Sequence, residues 1–387
     1  MSPARNQPSC GVCASKLVKN GTTRTGRTRW RCRTCGSSTT QHRPDITRRA
    51  QLTAFHDWLL SARAQHEQTG SARSFRRATA WCWNVPVPRP PITGQIHDVV
   101  IMDGTYFQDW CLLIATDHDH VIDWQWCDHE KKIAWAQILQ RHPAPVMVVI
   151  DGGSGLAAAL QEHWPTTRIQ RCYFHIYQAV RRHLTHAPRL DAGKELAALT
   201  RALMRVSDLD QAAAWMGEYA TWEARWDTFL RHRTYPGKHH ARPTGVSIDQ
   251  KWWYTHRSLR TARALYRGLI RSASLFTWLD PDLPARQQTW PRTTSSLEGG
   301  PNRAVKEILR AHRGMPTGHA RRAVEWKLNS LTEIPADPWT QAHPEHWNPP
   351  PKRPAITPIE DPAPQIGTAF SWEDGNGLQH GWAGRSR

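Results

Sequence analysis

Two stretches decide how this chain folds: Val99-Val100-Ile101-Met102-Asp103-Gly104-Thr105-Tyr106 and Val146-Met147-Val148-Val149-Ile150-Asp151-Gly152-Gly153. Each is an apolar, largely β-branched run that ends at an aspartate followed by glycine. Runs of this length read as strands buried on both faces. If the two lie side by side in one sheet, their aspartates leave it together. Working outward, residues 97–107, 111–114 and 121–126 read as three successive strands, and 132–141 as a helix. Residues 145–150 form the buried strand, 156–163 a helix, 168–172 a short strand and 174–184 a helix. This order predicts an α/β fold, a mixed sheet covered by helices. Residues from about 191 to 279 read as mostly helical, rich in tryptophan, with a basic break at 231–242. The motif Ser296-Leu297-Glu298-Gly299-Gly300-Pro301-Asn302 follows, then basic helices through about 310 and at 319–331.

Upstream, the first fifty residues carry eleven Lys or Arg and one acid. Short β-like stretches at 16–18 and 28–31 lie among two cysteine pairs. Asp45 is placed to cap a helix over 46–66. Residues 69–70 break it, and 71–83 read as a second helix with Arg73, Arg76 and Arg77 around Phe75. Pro86, Pro88, Pro90 and Pro91 mark a linker. Beyond 335 the chain is Pro-rich and aperiodic, and disorder is expected. The expected domains are a zinc ribbon at 1–44, a helix-turn-helix-like module at 45–85 and a linker at 86–94. A catalytic domain at 95–335 would contain a helical insertion at about 186–290, and a disordered tail would fill 336–387.

The 387 residues contain 51 Lys and Arg against 33 Asp and Glu, a net charge of +18. That excess points to a polyanion, because each cation set against a phosphate releases a condensed counterion. General basicity in a GC-rich, Arg-rich proteome is the bland alternative. No run approaches the roughly 20 apolar residues of a membrane span. The N-terminus lacks an apolar signal core, so a cytoplasmic, nucleoid-associated protein is expected.

Cys10-Gly11-Val12-Cys13 and Cys32-Arg33-Thr34-Cys35 have the spacing of a closed tetrahedral site, and a structural zinc ion is expected there. Four unrelated buried cysteines are the bland alternative. Arg24, Arg27, Arg29, Arg31 and Arg33 stud this ribbon and suit phosphate contact. Asp103, Asp151 and Glu298 are three hard-oxygen ligands of the kind that a pair of magnesium or manganese ions takes. Singly, each acid is as easily a turn, cap or first-turn residue. Arg303, Lys306 and Arg310 follow Glu298 closely and are candidates to hold a DNA backbone, or simply a solvated helix face. Cys172 and His175 fit a hydrogen-bonded pair beside the site better than a second metal site. The Asp117-His118-Asp119-His120 run reads as a solvated hairpin turn. Most of the 21 tryptophans, Trp215, Trp222 and Trp226 among them, are expected in cores.

The segments around Asp103, Asp151, Arg171-Cys172-Tyr173-Phe174-His175 and Glu298 together resemble, in order, the Mutator-like transposases of bacterial insertion sequences. The N-terminal ribbon is similar to that of one subgroup. The resemblance covers about residues 95–335. It implies an RNase H-like catalytic domain with a helical insertion before the last acid, and Asp103, Asp151 and Glu298 as its metal-binding triad. It makes Cys172 and His175 the family's additional motif. The glycines after Glu298 depart from the pattern, and the helix there is expected to start at Pro301. The implied function is cleavage and strand transfer on double-stranded DNA by a homo-oligomer at element ends. A non-catalytic DNA-binding regulator, or a nuclease or resolvase of similar fold without strand transfer, remains open.

Overall fold

The computed structural model describes residues 8–347, apart from 41–43, 62, 69–70, 108–109, 238–240 and 286–288. The expected break at 69–70 and most of the expected tail therefore lie outside the described residues. The chain divides into two compact units: Met1–Pro90 with Pro301–Gln365, and a unit built on Pro91–Gly300.

In the first unit, β1 (Leu17–Thr22), β2 (Thr28–Cys32) and β3 (Ser38–Thr39) form an antiparallel sheet in that order. Cys10, Leu17 and Cys32 are its whole buried core, with Trp30 packed against them. A core that small needs a staple. Arg24, Arg27, Arg29, Arg31 and Arg33 are all exposed. Along β2, period-two alternation puts Arg29 and Arg31 on the face opposite Cys32.

Helix α1 runs Pro44–Leu60 and is shorter than expected; the Ser61 hydroxyl donates to Trp58 O and turns the chain away. Asp45 sits in its first turn rather than capping it. Helix α2 (Ala72–Thr79) starts where the Ser71 hydroxyl accepts from Ser74 N. It then tightens into a 3-10 turn over Ala80–Asn84, so the single expected helix is two elements. Trp81 and Cys82 are thereby buried, while Arg73, Arg76 and Arg77 stay exposed. Phe55, Leu59, Phe75 and Trp81 share one core with Ile308, Ala323 and Trp326 from the far end of the chain. Ala342 joins it, with Trp339 and Trp347 packed alongside, on 3-10 turns at Pro338–Gln341 and Pro344–Trp347. Residues 338–347, expected to be disordered, are thus packed, because two tryptophans give them apolar surface to bury.

The second unit holds β4 (Val99–Phe107), β5 (Trp110–Thr116), β6 (Val121–Cys127), α3 (Lys132–Leu139), β7 (Met147–Ile150), α4 (Ser154–His163), β8 (Arg168–Arg171) and α5 (Tyr173–Leu184). The sheet order is β6-β5-β4-β7-β8. The first three strands form an antiparallel meander, and β7 and β8 run parallel to β4. This is the RNase H-like mixed sheet that the resemblance implies. Val100, Met102, Val148 and Ile150 pack one face of it onto Trp135, Ile138, Leu156 and Leu160 of α3 and α4.

After α5, the helices α6 (Asp191–Leu203), α7 (Leu209–Leu230) and α8 (Arg257–Arg271) build a second core. Trp215 and Trp222 are buried there, and each indole N–H donates to a backbone carbonyl, of Leu199 and Ala192 respectively. A two-stranded ribbon of β9 (Arg233–Thr234) and β10 (Trp253–Tyr254) links α7 to α8. Among the described residues no helix is long and apolar enough to cross a membrane.

Candidate active site

Asp103 and Asp151 owe their proximity to register. In the parallel pair β4–β7, Met102 lies opposite Ile150, so each aspartate is the next residue on adjacent strands. Val100 and Met102 face α3 and α4, so alternation turns Asp103 to the opposite face. Asp103 Oδ1 accepts from Gly104 N at 2.9 Å, and Asp151 Oδ1 from Gly153 N at 2.8 Å. Between them Gly152 has φ of +104°, and a Cβ there would fall 1.7 Å from the Arg171 guanidinium. Arg171 donates to Asp151 O at 2.8 Å, so glycine is what lets this half-buried cation reach the loop.

The third acid is carried back to this edge by stitches along β8. Thr277 Oγ1 donates to Ile169 O, Gln170 Nε2 to Leu275 O, Arg171 N to Ser274 O and Tyr173 N to Arg292 O. The open edge of the sheet is covered by the chain leaving the helical insertion. A short helical turn, α9 (Ser295–Leu297), then packs against β4 and presents Glu298. The helix starts before Glu298, not at Pro301 as expected. It widens into a π turn over Glu298–Asn302, where Pro301 has no N–H for an α-type bond, and resumes as α10 (Arg303–Ala311).

His175 stands beside Glu298, and Cys172 is linked to it through Thr294. Thr294 Oγ1 donates to Glu298 Oε1 at 3.0 Å, while Thr294 N donates to Cys172 Sγ at 3.3 Å. The Thr294 hydroxyl and the Cys172 thiol are also 3.4 Å apart, and Thr294 is fully buried. His175 Nε2 stands 3.8 Å from Glu298 Oε1. Burial raises the Cys172 thiol, but the His175 imidazole and the Thr294 hydroxyl bring it below the ordinary thiol range. Burial works against charge on His175, yet Cys172 and the negative Asp103 and Asp151 push it up to about 9. Asp103 moves the other way from a normal carboxyl. Burial, then the charge of Asp151, push it up to about 7; Glu298 adds to this and His175 opposes it.

Two residues near the acids carried no pattern that the sequence reading could use. Thr294 is one, marked only by standing one helical turn before Glu298. Glu130 is the other: it is buried, and a Cβ on Gly104 would lie 1.9 Å from its Oε1. A Cβ on Gly153 would lie 3.5 Å from Asp151 Oδ1 and 3.6 Å from Glu130 Oε2, which puts the two carboxylates around one small space. The glycine after Asp103 and the second glycine after Asp151 were the available signals of a close approach. Asp117 accepts from the backbone N–H groups of Asp119 and His120, which makes the Asp-His-Asp-His run the expected turn between β5 and β6.

Among the described residues, one group of three or more His, Cys, Asp or Glu ligand atoms lies mutually within 4.8 Å: Cys10, Cys13, Cys32 and Cys35. Their sulfur contacts, 3.5 Å for Cys10–Cys35 and 3.3 Å for Cys13–Cys32, approach the edge of about 3.8 Å expected of a tetrahedron with arms of about 2.3 Å. A hydrogen bond with Ser37 brings Cys10 down to about 6, against the effect of burial. Ala14 and Gly36 take φ of +58° and +75° at equivalent places after the two pairs. The cluster fits a zinc ion. Asp103, Asp151 and Glu298 stand further apart than 4.8 Å as a set. Arg303, Lys306 and Arg310 are exposed on α10, Arg303 paired with Glu307 at 2.8 Å, and this helix folds with the first unit.

A mixed sheet of this topology, with two aspartates at adjacent strand positions and a glutamate returned beside them, defines an RNase H-like domain with a carboxylate site. Residues 103–179 match the model of the MULE transposase domain, so this part of the chain is similar to the Mutator-like transposases. The match begins at Asp103, spans Asp151, Cys172 and His175, and stops short of Glu298. Among curated proteins, none matches the chain.

Proposed function

We propose that the protein is a DNA transposase of an insertion sequence, which cuts DNA at element ends and joins the freed 3′-hydroxyl to target DNA. The observation that carries this reading is the grouping of Asp103 and Asp151, inside the segment that matches a transposase domain, with Glu298 returned to the same edge of the sheet. Those acids offer only hard oxygens, and burial, followed by the charge of Asp151, pushes the Asp103 carboxyl up to about 7. A pair of magnesium or manganese ions suits that donor set. Asp103, Asp151 and Glu298 are the residues that would hold these ions. When bound, such ions lower the pKa of the attacking water or hydroxyl and stabilise the leaving oxygen. The chain's own part is to hold the three carboxylates at fixed angles: Gly104 N and Gly153 N orient the aspartates, and Thr294 orients Glu298.

The cysteine cluster is read as a structural zinc site. The exposed arginines of the ribbon and of α2, together with Arg303, Lys306 and Arg310, are read as phosphate contacts. Synapsis of two ends calls for a homo-oligomer on DNA, and the work would be done at the nucleoid. The test incubates the full chain and Mg2+ with labelled duplex from the flanks of its own gene. Nicked and joined products are expected. Asp103→Asn, Asp151→Asn and Glu298→Gln should each abolish both while DNA binding survives. An Asp103→Asn protein that cuts at the unmutated rate overturns the mechanism. Cutting without joining would instead indicate a nuclease, and binding without cutting a regulator.

A further inference from the structure

We propose that residues 231–237 and 241–260 of the helical insertion form a second DNA-binding surface, gripping the phosphodiester backbone of duplex DNA. This rests on the transposase reading only for the identity of the polyanion. Among these residues there are six Lys or Arg and a single acid, Asp249. The segment is built on the β9–β10 ribbon, with Arg233 opposite Tyr254.

How these cations are partnered is the deciding observation. Below the ribbon, on α7 and α8, cations are matched with acids: Arg263 with Asp227 at 3.0 Å, Arg267 with Glu223 at 2.5 Å. Within the segment the partners are neutral. Arg242 donates to Ser247 O and Gln250 O, Arg257 to Thr244 O, and Arg260 to Leu230 O. Carbonyls fix a guanidinium in place without cancelling its charge. Among the described cations of the segment, Arg231 is the one paired with a carboxylate, that of Asp227. The result is a rigid array of uncompensated positive charge, which is what a phosphate backbone recognises.

The aromatic side chains support the same partner. Arg233 lies 3.9 Å over Trp252 and Arg260 lies 3.4 Å over Tyr254, while Trp253 is buried. Trp252 and Tyr254 meet edge to face at 5.1 Å. These rings serve as shelves that hold guanidinium planes flat, and a planar fork is the geometry that meets phosphate oxygens in pairs. With guanidinium groups over them they are poor platforms for an unpaired base, so backbone contact is favoured over base stacking.

The experiment measures binding of the full, zinc-loaded chain to a random-sequence duplex in buffer without magnesium or manganese and without chelator, across a series of salt concentrations. Absence of those two ions removes cleavage from the measurement. The variant Arg233→Gln/Lys251→Gln changes two exposed side chains that make no backbone hydrogen bonds among the described residues. We expect the slope of log K against log salt to flatten by about 0.9 per lost contact, and affinity near 0.1 M salt to fall roughly tenfold or more. The charge reversal Arg233→Glu/Lys251→Glu should deepen the loss, with circular dichroism unchanged. Arg225→Gln, which removes a cation already paired with Glu195, should leave the slope as it was. A slope and affinity identical to the unmutated protein in both segment variants overturn the proposal. So does a loss confined to single-stranded oligonucleotides, which would indicate base stacking. A protein that binds through this segment but never cuts DNA sinks the transposase reading and leaves this surface standing; normal cutting with unchanged slopes does the reverse.

Discussion

Thr294 shows how much of the site depends on a side chain that offers no metal ligand. Its hydroxyl donates to Glu298 Oε1, and its position is fixed by the Cys172 thiol on the other side. A hydrogen bond to an ionised group contributes about 1.5–3 kcal/mol, which corresponds to roughly ten- to hundredfold in rate if it is lost in the transition state. Thr294→Val should therefore lower the cleavage rate by that factor and raise the Mg2+ concentration needed for half-maximal cutting. Thr294→Ser should restore both, because it keeps the donor. If valine and serine behave alike, Thr294 only packs. Gly152 offers a sharper contrast. Gly152→Ala places a Cβ against the Arg171 guanidinium at a φ that alanine rarely adopts, and cleavage should collapse. Gly300→Ala meets nothing within 4 Å and should cut normally. In the ribbon, Ala14 sits at positive φ, so Ala14→Gly should leave zinc retention in a chelator competition equal or improved, by up to about 1 kcal/mol.

At the scale of elements, the edge strand β6 is tied to the end of α3 through Asp123. Its carboxylate, almost fully buried, meets Arg141 at 2.6 Å and His142 at 3.0 Å. Burial alone would raise it, but hydrogen bonds from His142 and Arg141 and the Arg141 charge hold it below the usual carboxylate range. A depressed folded-state value stabilises the protein above the unfolded pKa of about 3.9, and that stabilisation is lost as pH falls through the folded value. Asp123→Asn should cost about 1–3 kcal/mol at pH 7, since it removes a buried, charge-assisted hydrogen-bond acceptor and leaves the half-buried Arg141 unmatched. Urea midpoints for the two proteins should converge as pH drops below about 4; a gap that stays constant with pH would refute the assignment. The elements themselves were largely legible. Apolar runs before Asp103 and Asp151 announce β4 and β7, because central strands of a mixed sheet have no polar face to alternate. Asp123 and Glu130 were not legible, since a buried acid leaves no period in a sequence; only the partner that neutralises or surrounds it explains its place.

For the whole molecule, the division into units does not follow chain order, and periodicity could not have shown that it would not. A hydrophobic face on 319–331 records that something covers it, not what. The structure supplies the answer: Trp326 and Ala323 of α11 (Thr317–Asn329) close the core under Phe55 and Leu59 of α1. His312 Nε2 lies 2.8 Å from Leu59 O, and Trp83 stacks on His319 with ring centroids 4.1 Å apart. The helices expected to bind DNA therefore depend on residues more than two hundred positions away. A chain ending at Gly300 keeps every residue of the sheet and the three acids but removes a third of that core's buried residues: Ile308, Ala323, Trp326 and Ala342. Its second unit should still show cooperative unfolding, while α1 and α2 lose their packing and bind a hydrophobic dye. Trp326→Ala in the full chain tests the same dependence more gently, with an expected loss of about 3–5 kcal/mol. The ribbon should retain its zinc in both variants, because Cys10, Leu17, Cys32 and Trp30 form a core of their own. Hydrogen exchange would decide the matter: in the truncated protein, amides of 44–60 and 72–79 should lose protection while those of 99–107 and 147–150 keep it. Protection retained in α1 would mean that the N-terminal helices stand without the C-terminal pair.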